Sequence, residues 1–318
     1  MSALRVVVIG AGHMGRHHAL KVAELHDAGE IEFTGVADRV LPRARRLARA
    51  TRTRAFARTH DAFAAADAAI VAVPTAAHFE VVRAALEAGL DVLVEKPIAV
   101  GLDQAEALLD LARRRARVLR VGSQEWHNPA MRAVRPKIQR PMFVECQRVG
   151  PFSERGVDVD VVRDLMIHDL DILQKLLGAE PARIDATGVP VVTDKVDIAS
   201  ARIVFPGGCV ANLTASRVSQ RPMRRLRCFQ RDGYFAVDFI AQSATIFRRV
   251  ETPRGEPPRV DVEMLAVERE DSLIAQLRAF VRAVADGDVR ASTGDAALTA
   301  LRTALRVVAA MPRVEGLA

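Results

Sequence analysis

Cysteine, aromatic rings, lysine and long apolar runs are all scarce in this 318-residue chain, and each scarcity removes a class of protein. The three cysteines, Cys146, Cys209 and Cys228, are odd in number, far apart and never in a C-x-x-C pair. That excludes a disulfide framework and a cysteine-built zinc site, so they read as reduced, mostly buried thiols, and no metal is expected. One Trp and one Tyr leave few rings on which bases stack, and the arginines are scattered along amphipathic helices. The net charge of +7 is therefore read as a solvated surface favouring anionic small molecules, with no nucleic-acid partner. No apolar run reaches the ~18 residues of a membrane span. The N-terminus enters a strand at once, with no basic leader or cleavage site, so a cytoplasmic protein without a membrane partner is expected. Lysine occurs only at Lys21, Lys96, Lys137, Lys175 and Lys195, and in so arginine-rich a chain a lysine in an apolar setting stands out.

What is present is 50% hydrophobic content, enough for two cores,. The apolar run Leu4–Ile9 feeds directly into Gly10-Ala11-Gly12-His13-Met14-Gly15, and a helical pattern follows. This is the strand, tight turn and helix of a dinucleotide-binding fingerprint. Gly10 takes the turn, Gly12 lets a pyrophosphate approach the backbone, Gly15 lets helix and strand pack, and free N–H groups at the helix start face the anion. A second apolar strand, Ile31–Ala37, ends in Asp38, 23 residues after Gly15, where an acid accepts the ribose hydroxyls. Asp38 repels a 2′-phosphate, so NAD is expected over NADP, with Arg39 beside it as partial compensation.

Strand and helix alternate up to about residue 122, the pattern of a doubly wound parallel sheet. Ligands of such sheets lie beyond the carboxyl ends of the strands, so Gly10, Asp38, Pro74, Thr75, Glu95, Lys96 and Gly122 are expected on one rim. Beyond it the texture changes. One long helix, Val159–Leu177, is followed by a series of strands with hairpin turns at Pro206-Gly207-Gly208 and Asp232-Gly233, and two amphipathic helices, Ser272–Ala285 and Gly294–Ala310, finish the chain. The expectation is an α/β protein: a Rossmann domain over residues 1–122, and over 123–318 a substrate-binding and oligomerisation α/β domain with a large open, mostly antiparallel sheet.

On the long helix, α-helical spacing puts Asp164, His168 and Asp171 on one stripe. A histidine one turn from a carboxylate suits a general base held in one tautomer; a solvated acidic stripe continued by Lys175 is the competing reading. Lys96 follows a buried strand on the cofactor rim, and its amine shares a proton where a guanidinium does not. Alone it is equally a surface lysine. With the glycine turn and the His/Asp pair it completes a catalytic set.

In order and spacing, Gly10–Gly15, Val73-Pro74-Thr75-Ala76-Ala77-His78, Glu95-Lys96-Pro97 and Asp164-x-x-x-His168 resemble the Gfo/Idh/MocA oxidoreductases over nearly the whole chain. The resemblance implies NAD(P)-dependent hydride transfer at a sugar or cyclitol carbon, with Lys96, Asp164 and His168 in the active site. It adds His13, Met14 and His78 to the cofactor contacts, and it implies dimers or tetramers formed through the open sheet. The stretch from Asp158 to Asp171 looks like members that oxidise a nucleotide sugar, such as UDP-N-acetylglucosamine at C3 in lipid A precursor synthesis. Inositol or other sugar dehydrogenases are the alternative, as is an NAD-sensing regulator without turnover. Glu125, Asn128 and Pro129 match a family motif read as substrate-binding, but Trp126 and His127 stand where it has Arg-Phe, so the motif's arginine is missing here. Arg155, Arg217 and Arg221 are candidates to meet a diphosphate.

Overall fold

The computed structural model describes residues 3–153, 159–254, 256–289 and 294–312. It divides into two compact units, residues 1–124 with 271–298 and residues 125–270 with 299–318.

The first unit runs β1 (Arg5–Ile9), α1 (His13–Asp27), β2 (Glu32–Ala37), α2 (Leu41–Ala50), β3 (Ala55–Phe56), α3 (Thr59–Ala64), β4 (Ala68–Val71), α4 (His78–Glu87), β5 (Asp91–Val94), α5 (Leu102–Arg114) and β6 (Leu119–Val121). The strands form one six-stranded sheet in the order β3-β2-β1-β4-β5-β6, and every pairing is parallel. Helices on both faces leave no wet side, which is why β1, β4 and β5 read as unbroken apolar runs; Val7, Val8, Val71 and Val92 are fully buried. β3 and α3 are too short to leave a periodic signal in the sequence.

The second unit contains α6 (Pro129–Val134), β7 (Phe143–Val149), α7 (Ile167–Leu177), β8 (Arg183–Val189), β9 (Ile198–Val204), β10 (Val210–Ser216), β11 (Met223–Gln230), β12 (Gly233–Asp238), β13 (Ser243–Val250) and β14 (Arg259–Met264). Its eight-stranded sheet has the order β14-β13-β12-β11-β7-β10-β9-β8. All neighbours are antiparallel except β7 and β10. One face is covered: Val144, Cys146, Leu213, Leu226, Cys228, Phe235 and Ile246 pack with Met166, Leu170 and Leu173 of the long helix. The thiols belong to this interior. Burial pushes Cys146 and Cys209 up, and Cys228 up to about 12, so all three stay protonated at neutral pH,. The other face is open and carries a row of cross-strand aromatic contacts, Phe143 to Phe229, Phe229 to Tyr234 and Tyr234 to Phe247, with ring centroids 5.7, 4.8 and 4.1 Å apart. β14 is not among the strands expected from the sequence: although it pairs with β13, neither of its faces is covered, and all six residues are exposed.

The chain then supplies α8 (Ser272–Ala285) and α9 (Gly294–Ala309). Leu273, Leu277 and Phe280 of α8 pack with Val6, Val8 and Val22 in the first core. Ala300, Ala304 and Val307 of α9 pack in the second core. No helix among the described residues is long and apolar enough to cross a membrane.

The connection from β8 to β9 is tied by one carboxylate. Asp197, fully buried, accepts the N–H groups of Val191, Val192 and Thr193 and the Thr193 hydroxyl, all within 2.7–2.8 Å. Burial alone would raise this carboxyl, but the donors outweigh it and hold it at about 2,. A depressed carboxylate contributes stability above its unfolded value near 4 and loses it as pH falls through 2. Asp197→Asn is therefore expected to lower unfolding free energy by ~2 kcal/mol at neutral pH. Denaturant titrations of both proteins should show that gap closing between pH 4 and pH 2; a gap independent of pH counts against the ionised form.

Candidate active site

In the first unit the parallel order brings the carboxyl ends of β1, β2, β4 and β5 to one edge. Gly10, Asp38, Pro74, Thr75, Glu95 and Lys96 follow those ends. Gly10 sits at φ +103°, and a Cβ there would lie 2.5 Å from the Ala72 carbonyl oxygen. A Cβ on Gly15 would lie 1.9 Å from the Gly10 oxygen, whereas one on Gly12 would meet nothing within 4 Å. Two glycines thus make the turn, and the third keeps open space over the backbone at the start of α1, with no side chain capping that helix. His13 and Met14 begin α1. The open cradle and the uncapped N–H groups fit a pyrophosphate. Asp38 is fixed in place by two backbone donors: Oδ2 accepts the Ala11 N–H and Oδ1 the Val40 N–H, both at 2.7 Å. Each oxygen keeps a further lone pair. Arg39 beside it is exposed.

The glycine geometry separates two effects. Gly15→Ala is expected to lower stability by about 3 kcal/mol, since the loop and helix must move apart, and to abolish NAD binding with it. Gly12→Ala should leave Tm unchanged and weaken NAD alone. Thermal melts and NAD titration of the two variants check this; equal Tm losses would contradict it.

Lys96 lies between two fixed neighbours. Before it, Glu95 Oε1 meets His18 Nε2 of α1 at 2.6 Å, and Gly122 makes room, because a Cβ there would be 3.2 Å from Glu95 Oε2. Burial would raise the Glu95 carboxyl, but His18 and Lys96 outweigh it and the net shift is downward. After it, the buried His78 ring spans from the Pro97 carbonyl, at 2.8 Å from Nδ1, to the Val73 carbonyl, at 2.9 Å from Nε2. Desolvation lowers the His78 pKa despite the two carbonyls. The ring thereby ties the end of β4 to the turn that carries Lys96. His18 resembles a family position near the cofactor but is not among the expected site residues, since a helix histidine is more often structural packing; its bond to Glu95 gives it a place beside Lys96.

In the second unit the long helix corrects one expectation. It is not α-helical from Val159 on: residues Val162–Met166 form a π turn, and α7 begins at Ile167. The i, i+4, i+7 stripe through Asp164 is therefore interrupted, with Asp164 on the wide turn and His168 and Asp171 on the regular helix after it. All three are part-buried. π turns are rare and concentrate at functional sites. Asp160 prepares the turn, accepting the Arg163 N–H and pairing with its guanidinium at 2.6 Å. Lys175 does not simply prolong an acidic stripe. It pairs with Asp171 at 2.6 Å and lies 5.6 Å from the Trp126 ring centroid, which Arg135 also approaches at 4.7 Å.

The family-motif residues carry framework bonds. Asn128 caps α6 by accepting the Ala130 N–H at 3.0 Å and donates to the Phe239 carbonyl at 3.0 Å. Glu125 pairs with Arg148 at 2.6 Å. Arg217 is buried, donating to the Val159 carbonyl at 2.6 Å, whereas Arg221 is exposed. Arg155 and Asp158 lie outside the described residues. Among the described residues no group of three or more His, Cys, Asp or Glu is arranged to hold a metal.

A parallel sheet with this glycine turn, this acid and this open cradle defines a dinucleotide-binding protein of the Rossmann class. Comparison makes it more particular. Residues 4–123 match the GFO_IDH_MocA oxidoreductase family, NAD-binding Rossmann fold, and residues 141–236 match the GFO/IDH/MocA C-terminal domain. The chain belongs to the Gfo/Idh/MocA family of oxidoreductases. It is 39% identical to a UDP-N-acetylglucosamine 3-dehydrogenase of Acidithiobacillus ferrooxidans over 90% of each chain. The solved structure of that organism's UDP-N-acetylglucosamine 3-dehydrogenase GnnA superposes with a TM-score of 0.90, covering 98% of each chain at 38% identity. An inositol 2-dehydrogenase of Rhizobium meliloti is 31% identical over 60% of each chain.

Proposed function

We propose that this enzyme oxidises a ring hydroxyl of a nucleotide sugar, UDP-N-acetylglucosamine at C3 being the foremost candidate, and gives the 3-keto sugar. The observation that carries the reading is Asp164 and His168 flanking the end of a π turn in a chain 39% identical, over 90% of its length, to an enzyme of that name. Bound NAD⁺ supplies the hydride acceptor. Neutral His168, oriented by Asp164, takes the hydroxyl proton. Lys96, fixed between Glu95 and Pro97, is the candidate donor to an oxygen that gains carbonyl character, a role that weighs most in a dry site. Gly10, Gly12 and Gly15, through the turn they shape, and Asp38, through its remaining lone pairs, would hold the cofactor.

The experiment is to incubate purified protein with NAD⁺ and a panel of UDP-N-acetylglucosamine, other nucleotide sugars and myo-inositol. NADH should appear one-for-one with a 3-keto nucleotide sugar identified by mass spectrometry. Turnover of inositol alone would overturn the substrate, and binding of NAD without any turnover would overturn the catalytic reading. A thermal-shift screen with NAD⁺ present ranks the same ligands, since true ligands stabilise by mass action.

The reading extends to assembly and location. The open face of the second sheet, with its aromatic row and the exposed Val260, Val262 and Met264, suits a second copy of the chain,. Light scattering is expected to give a dimer or tetramer, and Tyr234→Arg to reduce it. Three unpaired buried thiols suit a reducing compartment, the cytoplasm,.

A further inference from the structure

The second unit contains a buried charge network that the mechanism above does not use. Arg148 lies on the covered face of β7 and grips Asp169 with both arms of its fork, Nε to Oδ2 at 3.1 Å and Nη2 to Oδ1 at 2.8 Å. Its Nη1 donates to Glu125 Oε1 at 2.6 Å. The side chains of Arg148 and Asp169 are 3% and 2% exposed, and that of Glu125 11%. Arg224 stands 3.5 Å from the same Glu125 oxygen, and the Phe239 ring centroid is 5.7 Å from the Arg148 guanidinium carbon. Burial works against the Arg148 cation, but the two carboxylates outweigh it, so the group stays charged.

Such a network is an inefficient source of stability. Desolvation offsets most of the attraction, and apolar residues of similar volume often serve as well or better. Its position suggests a different use. Asp169 directly follows His168, and just before them the π turn breaks the regular hydrogen-bond ladder. The core contacts around the turn, through Met166, Ile167, Leu170 and Leu173, are apolar and so non-directional; polar ties lie toward the ends of the helix, from the Val161 N–H to the Val196 carbonyl and from Lys175 to the Trp126 ring. Apolar packing tolerates a small rotation of the helix about its axis. A planar guanidinium holding a carboxylate by both oxygens does not.

We propose that Arg148, braced by Glu125, is a positioning residue that acts through Asp169 to fix the rotation and register of the turn bearing His168. The inference rests on the reading of His168 as the base. It also gives Glu125 a use other than substrate contact, because its Oε1 is committed to Arg148.

Arg148→Met alone strands two buried carboxylates and endangers folding, so two other variants carry the test. E125Q/R148M/D169L removes all three charges and replaces the central ion pair by apolar side chains, and R148K keeps the charge without the fork. The triple variant is expected to fold with a Tm at or above that of the unmodified protein and to bind NAD⁺ with the same Kd. Its kcat on the nucleotide sugar should fall about 100-fold with KM little changed, the cost of a misplaced group. R148K should recover only part of that loss. In parallel, the ring resonances of His168, assigned with His168→Gln, should report one environment in the unmodified protein and several in the triple variant. A folded triple variant with unchanged kcat and one unchanged His168 resonance overturns the proposal. If the unmodified protein oxidises no sugar, the functional reading fails by itself, and the resonances still decide whether the network positions His168.

Discussion

His168→Asn is expected to lower kcat by about 10²- to 10⁴-fold, the contribution usual for a positioned general base. A hydroxyl carbon releases hydride only as its oxygen loses a proton, so the base acts in the transition state and its loss appears in kcat and kcat/KM together. NAD affinity should not change, because the substitution leaves the glycine turn and the backbone bonds of Asp38 untouched. Asparagine is chosen to keep the volume and some hydrogen bonding, so a lost rate is not a lost fold. Asp164→Asn should have a smaller effect of the same kind, since it leaves the base in place and removes only its orienting charge. Added imidazole should restore part of the rate to a smaller variant, His168→Gly, which leaves room for it. Single-turnover kinetics with saturating NAD⁺ check these expectations. Unchanged turnover by folded His168→Asn removes the residue from the mechanism.

How far the sequence discloses this arrangement depends on what each residue packs against. The first unit was legible almost throughout. Strands covered on both faces must be apolar without interruption, and the glycine turn is fixed by contacts so close, 1.9 Å for a Cβ on Gly15, that other residues are excluded. The large sheet was legible from its alternation and its turns. The π turn was not, although a trace of it exists. The buried pair Val161 and Val162 is followed by Met166 and Ile167, a spacing of five where α-helix gives three or four, before Leu170 and Leu173 resume the regular period,. Reading the whole stretch with one period hid the break. Arg148 was invisible for another reason: among so many arginines nothing local distinguishes the buried one, and its partners are 21 and 23 residues away. The same holds for α8, whose amphipathic pattern says that one side is covered but not that Val6 and Val22 cover it.

Lys96→Met should cost about 10²- to 10³-fold in kcat, comparable to removing one preorganised donor from a developing oxyanion. The size of the effect follows from how the residue is held. Glu95 is joined to α1 through His18, and Pro97 is joined to the end of β4 through His78, so the backbone on either side of Lys96 is anchored by a buried ring. A donor anchored in this way need not reorganise when charge develops, and methionine keeps the aliphatic stem while deleting only the charge and the donor. Lys96→Arg should rescue little, because a planar fork does not place a single compact donor in the same spot and shares no proton. The anchoring is separately testable: His78→Phe keeps a flat ring but deletes both polar atoms, and is expected to reduce kcat in the Lys96 protein yet have little further effect in Lys96→Met. That non-additivity is the signature of two residues acting through one donor. If His78→Phe slows the Lys96→Met enzyme as much as it slows the unmodified one, His78 acts on something other than the lysine. If Lys96→Met itself turns over normally, the amine has no part in the chemistry.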